Sequence, residues 1–184
     1  MNDSAKGHAP ILAAGGIVLR GNTRPRIAVV RLRREKAWVL PKGKLLPREH
    51  PRDAAKREVL EETGHDVSVQ EFLGSMSYAV EGRIKIVQFW LMRAIGAPVG
   101  ELMGDVKAVK WLPLKDAVAT LTRPHEKVFL THVGPIALKA ARKHGRATPR
   151  PPGRDFDKLD RSAFVKAVGS WIGRVAQGSA RRSG

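Results

Sequence analysis

Residues 43–65 read Gly-Lys-Leu-Leu-Pro-Arg-Glu-His-Pro-Arg-Asp-Ala-Ala-Lys-Arg-Glu-Val-Leu-Glu-Glu-Thr-Gly-His. The spacing predicts a helix from Pro51 to Thr63, with the proline tolerated in the first turn and Gly64 as the C-terminal stop. On that helix Glu58, Glu61 and Glu62 stand at i, i+3 and i+4, so their carboxylates project from one face. Three clustered anions repel one another. From position 58 to 66 the chain also carries Asp66 and no Lys or Arg, which places acid at the negative end of the helix dipole. A solvated helical surface would supply lysine partners; here they are missing, and hard carboxylate oxygens of this kind suit magnesium or manganese. Arg57 and Glu49 add an opposite-charge pair that could hold the preceding loop against the helix.

Working outward, Pro10 to Arg20 and Arg26 to Arg33 are apolar or alternating runs separated by Gly21-Asn22-Thr23-Arg24-Pro25, and predict two antiparallel strands. Ala37 to Leu40 is a short strand that Pro41 ends, followed by Lys42-Gly43-Lys44 as a loop. After the helix come strand-like runs Val67 to Tyr78 and Arg83 to Arg93, joined at Glu81-Gly82 as a hairpin, and a last strand Val106 to Leu112. Leu114 to Leu121 and Glu126 to His144 read as helices. The expected organisation is a polar N-terminus (1–9), one catalytic domain (10–144), a Pro/Arg-rich linker (145–159), and an amphipathic helix with a basic tail (160–184). Phe164, Val168, Trp171, Ile172 and Val175 carry that last helix, which is expected to dock on its own domain or on a dimer mate.

The chain has 184 residues, room for one compact domain and one active site. There is no cysteine, which excludes disulfides, thiolate metal sites and a cysteine nucleophile. No window approaches the ~18 apolar residues of a spanning helix, so no membrane insertion is expected and the protein is placed in the cytoplasm. A formal net charge of +17 attracts phosphates. Much of it is concentrated in residues 20–57, with 13 Lys or Arg against 3 acids, and in residues 135–184, with 12 against 3. A homodimer and a nucleic-acid partner are both compatible with such a field, the latter less favoured than a small polyanion.

The segment Gly43 to Gly64 resembles the Nudix box, G-x5-E-x7-R-E-U-x-E-E-x-G-U with U an aliphatic residue. Gly43, Glu49, Arg57, Glu58, Val59, Glu61, Glu62 and Gly64 agree, and the final U falls on His65, a poorer core residue. Ala13 to Leu19 is similar to the first strand of Nudix domains. Trp38-Val39-Leu40-Pro41-Lys42-Gly43 looks like the box approach in dinucleoside polyphosphate and diphosphoinositol polyphosphate hydrolases. The resemblance covers residues 10 to about 140. It implies an α+β fold, an α/β/α sandwich with a mixed β-sheet between helices, and a basic C-terminal extension outside it.

By that resemblance Glu58, Glu61, Glu62 and the Gly43 carbonyl bind Mg2+ or Mn2+, Arg57 and Glu49 order helix and loop, and Glu58 assists the attacking water. A further acid is expected from a distant loop, with Asp105 first, then Glu101, then Glu81. Lys42 and Lys44 are expected on substrate phosphates, with Arg31, Arg33 and Arg34 next. His125 at a helix start is read as structural. Trp38, Phe89 and Trp90 suit either base stacking or core packing. The expected activity is cleavage of a phosphoanhydride in a dinucleoside polyphosphate or inositol pyrophosphate. The alternatives are an oxidised nucleoside triphosphate, a triphosphorylated RNA end, or a silent module that binds a phosphorylated ligand or nucleic acid. A silent module has no need of three mutually repelling carboxylates.

Overall fold

In the computed structural model, residues 9–102 and 105–147 are described, the side chains of 144–147 excepted. The strands are β1 (Ile11–Arg20), β2 (Arg26–Leu32), β3 (Trp38–Val39), β4 (Lys42–Lys44), β5 (Val67–Val80), β6 (Arg83–Ala94) and β7 (Val106–Leu112). The helices are α1 (Pro51–Thr63), α2 (Leu114–Thr120) and α3 (Pro124–Ala147). One sheet runs β3-β2-β1-β6-β5, with β4 also on β1 and β7 also on β2. It is mixed, because β1 lies parallel to β6 and antiparallel to β2 and β4.

The period-2 alternation of the strands sorts the core into two layers. Ala13, Ile17 and Leu19 of β1, Ile27 and Val29 of β2, and Val87, Phe89 and Leu91 of β6 face α2 and α3, where Ala117, Leu121, Leu130 and Val133 meet them. Their neighbours Ala14, Val18, Ala28, Trp90 and Met92 point the other way, onto Ala54, Ala55 and Val59 of α1. The result is the α/β/α sandwich, with α1 alone on one face. Phe89 and Trp90 are therefore core residues on opposite faces, which removes both as stacking platforms for a base. Trp38, partly buried, packs against the α2–α3 layer and has the Lys110 ammonium over its ring at 4.7 Å.

Two elements differ from the sequence reading. Lys42-Gly43-Lys44, expected as a loop, is a strand paired with Gly15, Ala14 and Ala13. Gly15 explains it: a Cβ there would overlap the Pro41 carbonyl and the Lys42 Cβ, so only glycine lets the two backbones approach. In addition, α3 continues through Gly145-Arg146-Ala147, residues given above to the linker. The compact unit that holds the described residues ends at Ala147. The remainder of the linker and the amphipathic helix of 160–184 lie outside the described residues.

At its start α1 is capped by His50, whose ring accepts from the Arg52 amide, and at its end by Gly64 in the left-handed region at φ 71°. His65 fills the position where the box has an aliphatic residue. It is buried, with Nδ1 2.9 Å from the Thr63 carbonyl and its ring edge-on to Trp111 at 5.0 Å. No described helix is long and apolar enough to cross a membrane.

Candidate active site

The site is built where β4 and the loop after it meet the C-terminal half of α1. Arg57 is its centre. Its Nε and Nη2 fork the Glu49 carboxylate at 2.8 and 2.8 Å, and Nη2 also donates to the Lys44 carbonyl at 3.2 Å. On the other side Nη1 reaches Glu58 at 2.7 Å and Glu61 at 3.4 Å. One planar guanidinium thus fastens strand, loop and helix together, which a point-like ammonium could not do. Glu49 closes the loop by accepting the Leu46 amide at 2.8 Å, and the Arg57 fork holds its carboxyl below the usual range.

Gly43 stands flush against this cluster, since a Cβ on it would overlap the Glu58 carboxylate. Glu62, the most enclosed of the three helix acids, accepts the Lys42 amide through Oε2 at 2.9 Å. Burial raises all three carboxyls, despite the arginine beside Glu58 and Glu61, and pushes Glu62 up to about 8. Desolvation thus disfavours the charged form of all three, and a bound cation would favour it.

The Glu62 shift has a consequence for the metal-free chain. Its folded pKa lies above the unfolded value, so between about pH 4.5 and about pH 8 the native state holds a proton that the unfolded state has released. Stability should therefore fall as pH rises through that window, and Glu62→Gln should flatten the fall. Thermal melts in EDTA from about pH 5 to about pH 9 measure this. A variant with the same slope as the unaltered chain would contradict the assignment.

Other expected residues sit elsewhere. Lys42 does not reach outward: its ammonium lies 2.9 Å from Glu126 Oε1 and donates to the Leu40 carbonyl at 3.1 Å, with 4% of its side chain exposed and none of Glu126. Lys44, two residues on and the last residue of this short strand, is exposed. Arg31 and Arg33 lie at the β2 end beside β3 and the turn before β7, where the Arg33 amide donates to the Asp105 carbonyl at 2.7 Å. Among the described residues no interaction joins Asp105, Glu101 or Glu81 to the helix carboxylates, and no three Asp, Glu or His close into a ready-made metal cage.

A cationic group near Lys42 went unread in the sequence. Lys85 continues the core-facing row Val87, Phe89, Leu91 to the end of β6, and burial lowers its pKa, helped by Lys42, Arg123 and Lys44. Its strand partner is Tyr78, whose ring stacks on His125 at 4.1 Å. Burial also lowers the His125 imidazole, favouring its neutral form. The parity of Lys85 with an apolar row was the available signal.

The fold and this carboxylate face define the class: the NUDIX domain model matches residues 9–133, and the chain belongs to the Nudix family. An 8-oxo-(d)GTP phosphatase of Mycolicibacterium smegmatis is 34% identical over 148 residues, 77% of this chain and 46% of that protein. A relative from Mycobacterium tuberculosis, named as a mutator protein, is 33% identical over 153 residues, 76% of this chain and 61% of its own length. The chain thus spans between about half and three fifths of these relatives. Among solved structures, an Ap4A hydrolase of C. elegans superposes with a TM-score of 0.61 at 22% identity, covering 68% of this chain and 96% of that one. A NUDIX hydrolase from Nitrosomonas europaea gives 0.58 at 19% identity, covering 68% and 90%. Both share the fold.

Proposed function

We propose that this chain is a metal-dependent hydrolase that cleaves a phosphoanhydride bond in a phosphorylated nucleotide, with the outer face of α1 as its catalytic surface. The observation that carries this is the set Glu58, Glu61 and Glu62, the first two braced by Arg57 and the third by the Lys42 amide, packed against Gly43 with their carboxyls raised by burial. Clustered carboxyls whose charged form burial disfavours gain from a hard divalent cation, and Mg2+ or Mn2+ suits an all-oxygen donor set. Glu58, Glu61, the second oxygen of Glu62 and the Gly43 carbonyl would hold it. Such an ion supplies Lewis-acid stabilisation of the phosphate oxygens and lowers the pKa of a bound water.

The chain's own groups do the rest. Arg57 fixes the directions of Glu58 and Glu61, and Glu58, with a raised pKa, accepts the proton of the attacking water. Lys44, Lys85 and Arg123 meet phosphate oxygens. Tyr78 and His125 offer an aromatic wall beside those cations. The Mycolicibacterium smegmatis relative, an 8-oxo-(d)GTP phosphatase, favours a nucleoside triphosphate, including an oxidised purine nucleotide. A second reading, a longer polyphosphate such as a dinucleoside polyphosphate or an inositol pyrophosphate, draws on the group of Lys44, Lys85 and Arg123. The burial of Lys42 removes one of the two lysines expected to favour the longer chain.

The deciding assay incubates the protein with Mg2+ and 8-oxo-dGTP, GTP, diadenosine tetraphosphate or an inositol pyrophosphate, and identifies the products. Release of nucleoside monophosphate and pyrophosphate, with the guanine triphosphates preferred, is the expected result. Faster turnover of the tetraphosphate replaces it with the second reading, and no turnover of any substrate with Mg2+ or Mn2+ refutes the proposed activity.

A further inference from the structure

Glu126 is a carboxylate with none of its side chain exposed, in the first turn of α3, and nothing in the reaction outlined above uses it. A buried charge of this kind is costly unless it is paired and hydrogen-bonded. Both oxygens have work: Oε2 accepts the Leu40 amide at 2.7 Å, and Oε1 pairs with the Lys42 ammonium at 2.9 Å. Arg123 Nη1 stands 3.8 Å from Oε1.

The contacts to Leu40 and Lys42 end on the segment that leads into Gly43. The same turn grips that approach twice more. Thr122 Oγ1 accepts the Trp38 amide at 2.9 Å, the Thr122 amide donates to the Trp38 carbonyl at 2.8 Å, and Arg123 reaches Glu35 at 2.7 Å. Of the three grips, only the one made by Glu126 acts on residues next to the carboxylate face. Lys42 is held at both ends, its side chain by Glu126 and its amide by Glu62.

We propose that Glu126 is a positioning residue for the carboxylate site, holding Leu40 and Lys42 so that Gly43 lies flush against Glu58 and the Lys42 amide meets Glu62. This inference rests on reading the face as a metal site. The negative charge matters beyond its acceptor capacity. A neutral acceptor would satisfy the Leu40 amide but leave the Lys42 ammonium buried with a single carbonyl, and the lysine would then swing towards water. That movement displaces the backbone beside Gly43.

The test measures binding of Mn2+ alone, by the EPR signal of the free ion, to the full chain and to E126Q, E126A and E35Q. Outer residues that orient ligands typically change metal affinity about 10- to 100-fold. E126Q is expected near the lower figure, E126A near the upper, and E35Q, which breaks an exposed pair at the same turn, should bind as the unaltered chain does. At saturating Mn2+ the substrate KM of E126Q should stay near the unaltered value, because the residue touches no phosphate. If E126Q or E126A fails to fold, the neutral pair K42M/E126Q decides, and it too should bind Mn2+ about tenfold more weakly, since one hydrogen bond to Leu40 replaces the two-sided hold. Equal Mn2+ binding by all folded variants, or an equal loss in E35Q, overturns the positioning role. Absence of Mn2+ binding by the unaltered chain overturns the metal reading and this inference together.

Discussion

Glu61→Gln is expected to slow turnover by about 100-fold or more while leaving the metal-free protein as stable as before, or more so. The two effects have one origin. Burial raises the Glu61 carboxyl, so its charged form is disfavoured in the folded state, and a neutral amide of the same shape removes that penalty. Only the long contact from Arg57, at 3.4 Å, is weakened. In the proposed reaction, by contrast, the carboxylate is a ligand, and an amide oxygen binds a hard dication far more weakly. Glu58→Gln should lose at least as much activity, because it removes a ligand and the proton acceptor at once. Turnover at saturating Mg2+ and thermal melts in EDTA measure the pair of effects. A Glu61→Gln chain that keeps near-normal turnover at limiting Mg2+ would refute its place in the metal set. A large fall in melting temperature would instead make it an ordinary structural acid.

Period and spacing make much of the fold legible in the sequence. Three glutamates at i, i+3 and i+4 share a helix face whatever the tertiary structure, and Pro51 and Gly64 mark the ends of that helix at the bounds found. The strand runs were equally legible, because alternation alone assigns Ile17 and Val18 to opposite layers. Lys42 shows where such reading stops. Both lysines beside Gly43 are expected on substrate phosphates from the sequence, and in the strand paired with β1 residues two apart share a side, yet only Lys44 is exposed while the Lys42 ammonium ends on Glu126. The burial of Lys42 depends on Gly15, 27 positions earlier, which lets the two backbones approach, and on Glu126, 84 positions later, which holds its ammonium. No local window contains that information.

The aromatic residues fail for a related reason. Phe89 and Trp90 are adjacent on β6, and a strand in the middle of a sheet buries both of its faces. Composition marks them as able to stack on a base, while sheet order decides that they pack on the two helical layers instead. In the proposed site Lys85 and Tyr78, paired near the turn of the same hairpin, supply polar groups that the central residues cannot. The site is thus assembled from the ends of elements whose middles make the core, a division that becomes visible only once strand order is known.

Arg57→Lys keeps the charge, and is nonetheless expected to lower turnover about tenfold or more and stability by about 2 kcal/mol, a fall of roughly 5 °C in melting temperature. The geometry gives the reason. Arg57 meets Glu49 with two donors, Glu58 and Glu61 with a third, and the Lys44 carbonyl besides, and its side chain is 22% exposed. An ammonium presents its three donors at one point and cannot span Glu49 on one side and Glu58 on the other. Whichever acid it leaves becomes a half-buried carboxylate without a cation. The loss should grow with pH: Glu58 and Glu61, already raised by burial, can protonate in acid and relieve the missing contact, but must carry their charge at higher pH. Melts of both chains at about pH 5.5 and about pH 8 should therefore diverge. Arg52→Lys, which alters a single exposed bond to the Val69 carbonyl, is the control and should move neither readout. If Arg57→Lys turns over and melts as the unaltered chain does at both pH values, the guanidinium fork is not what holds the loop and the carboxylate face together.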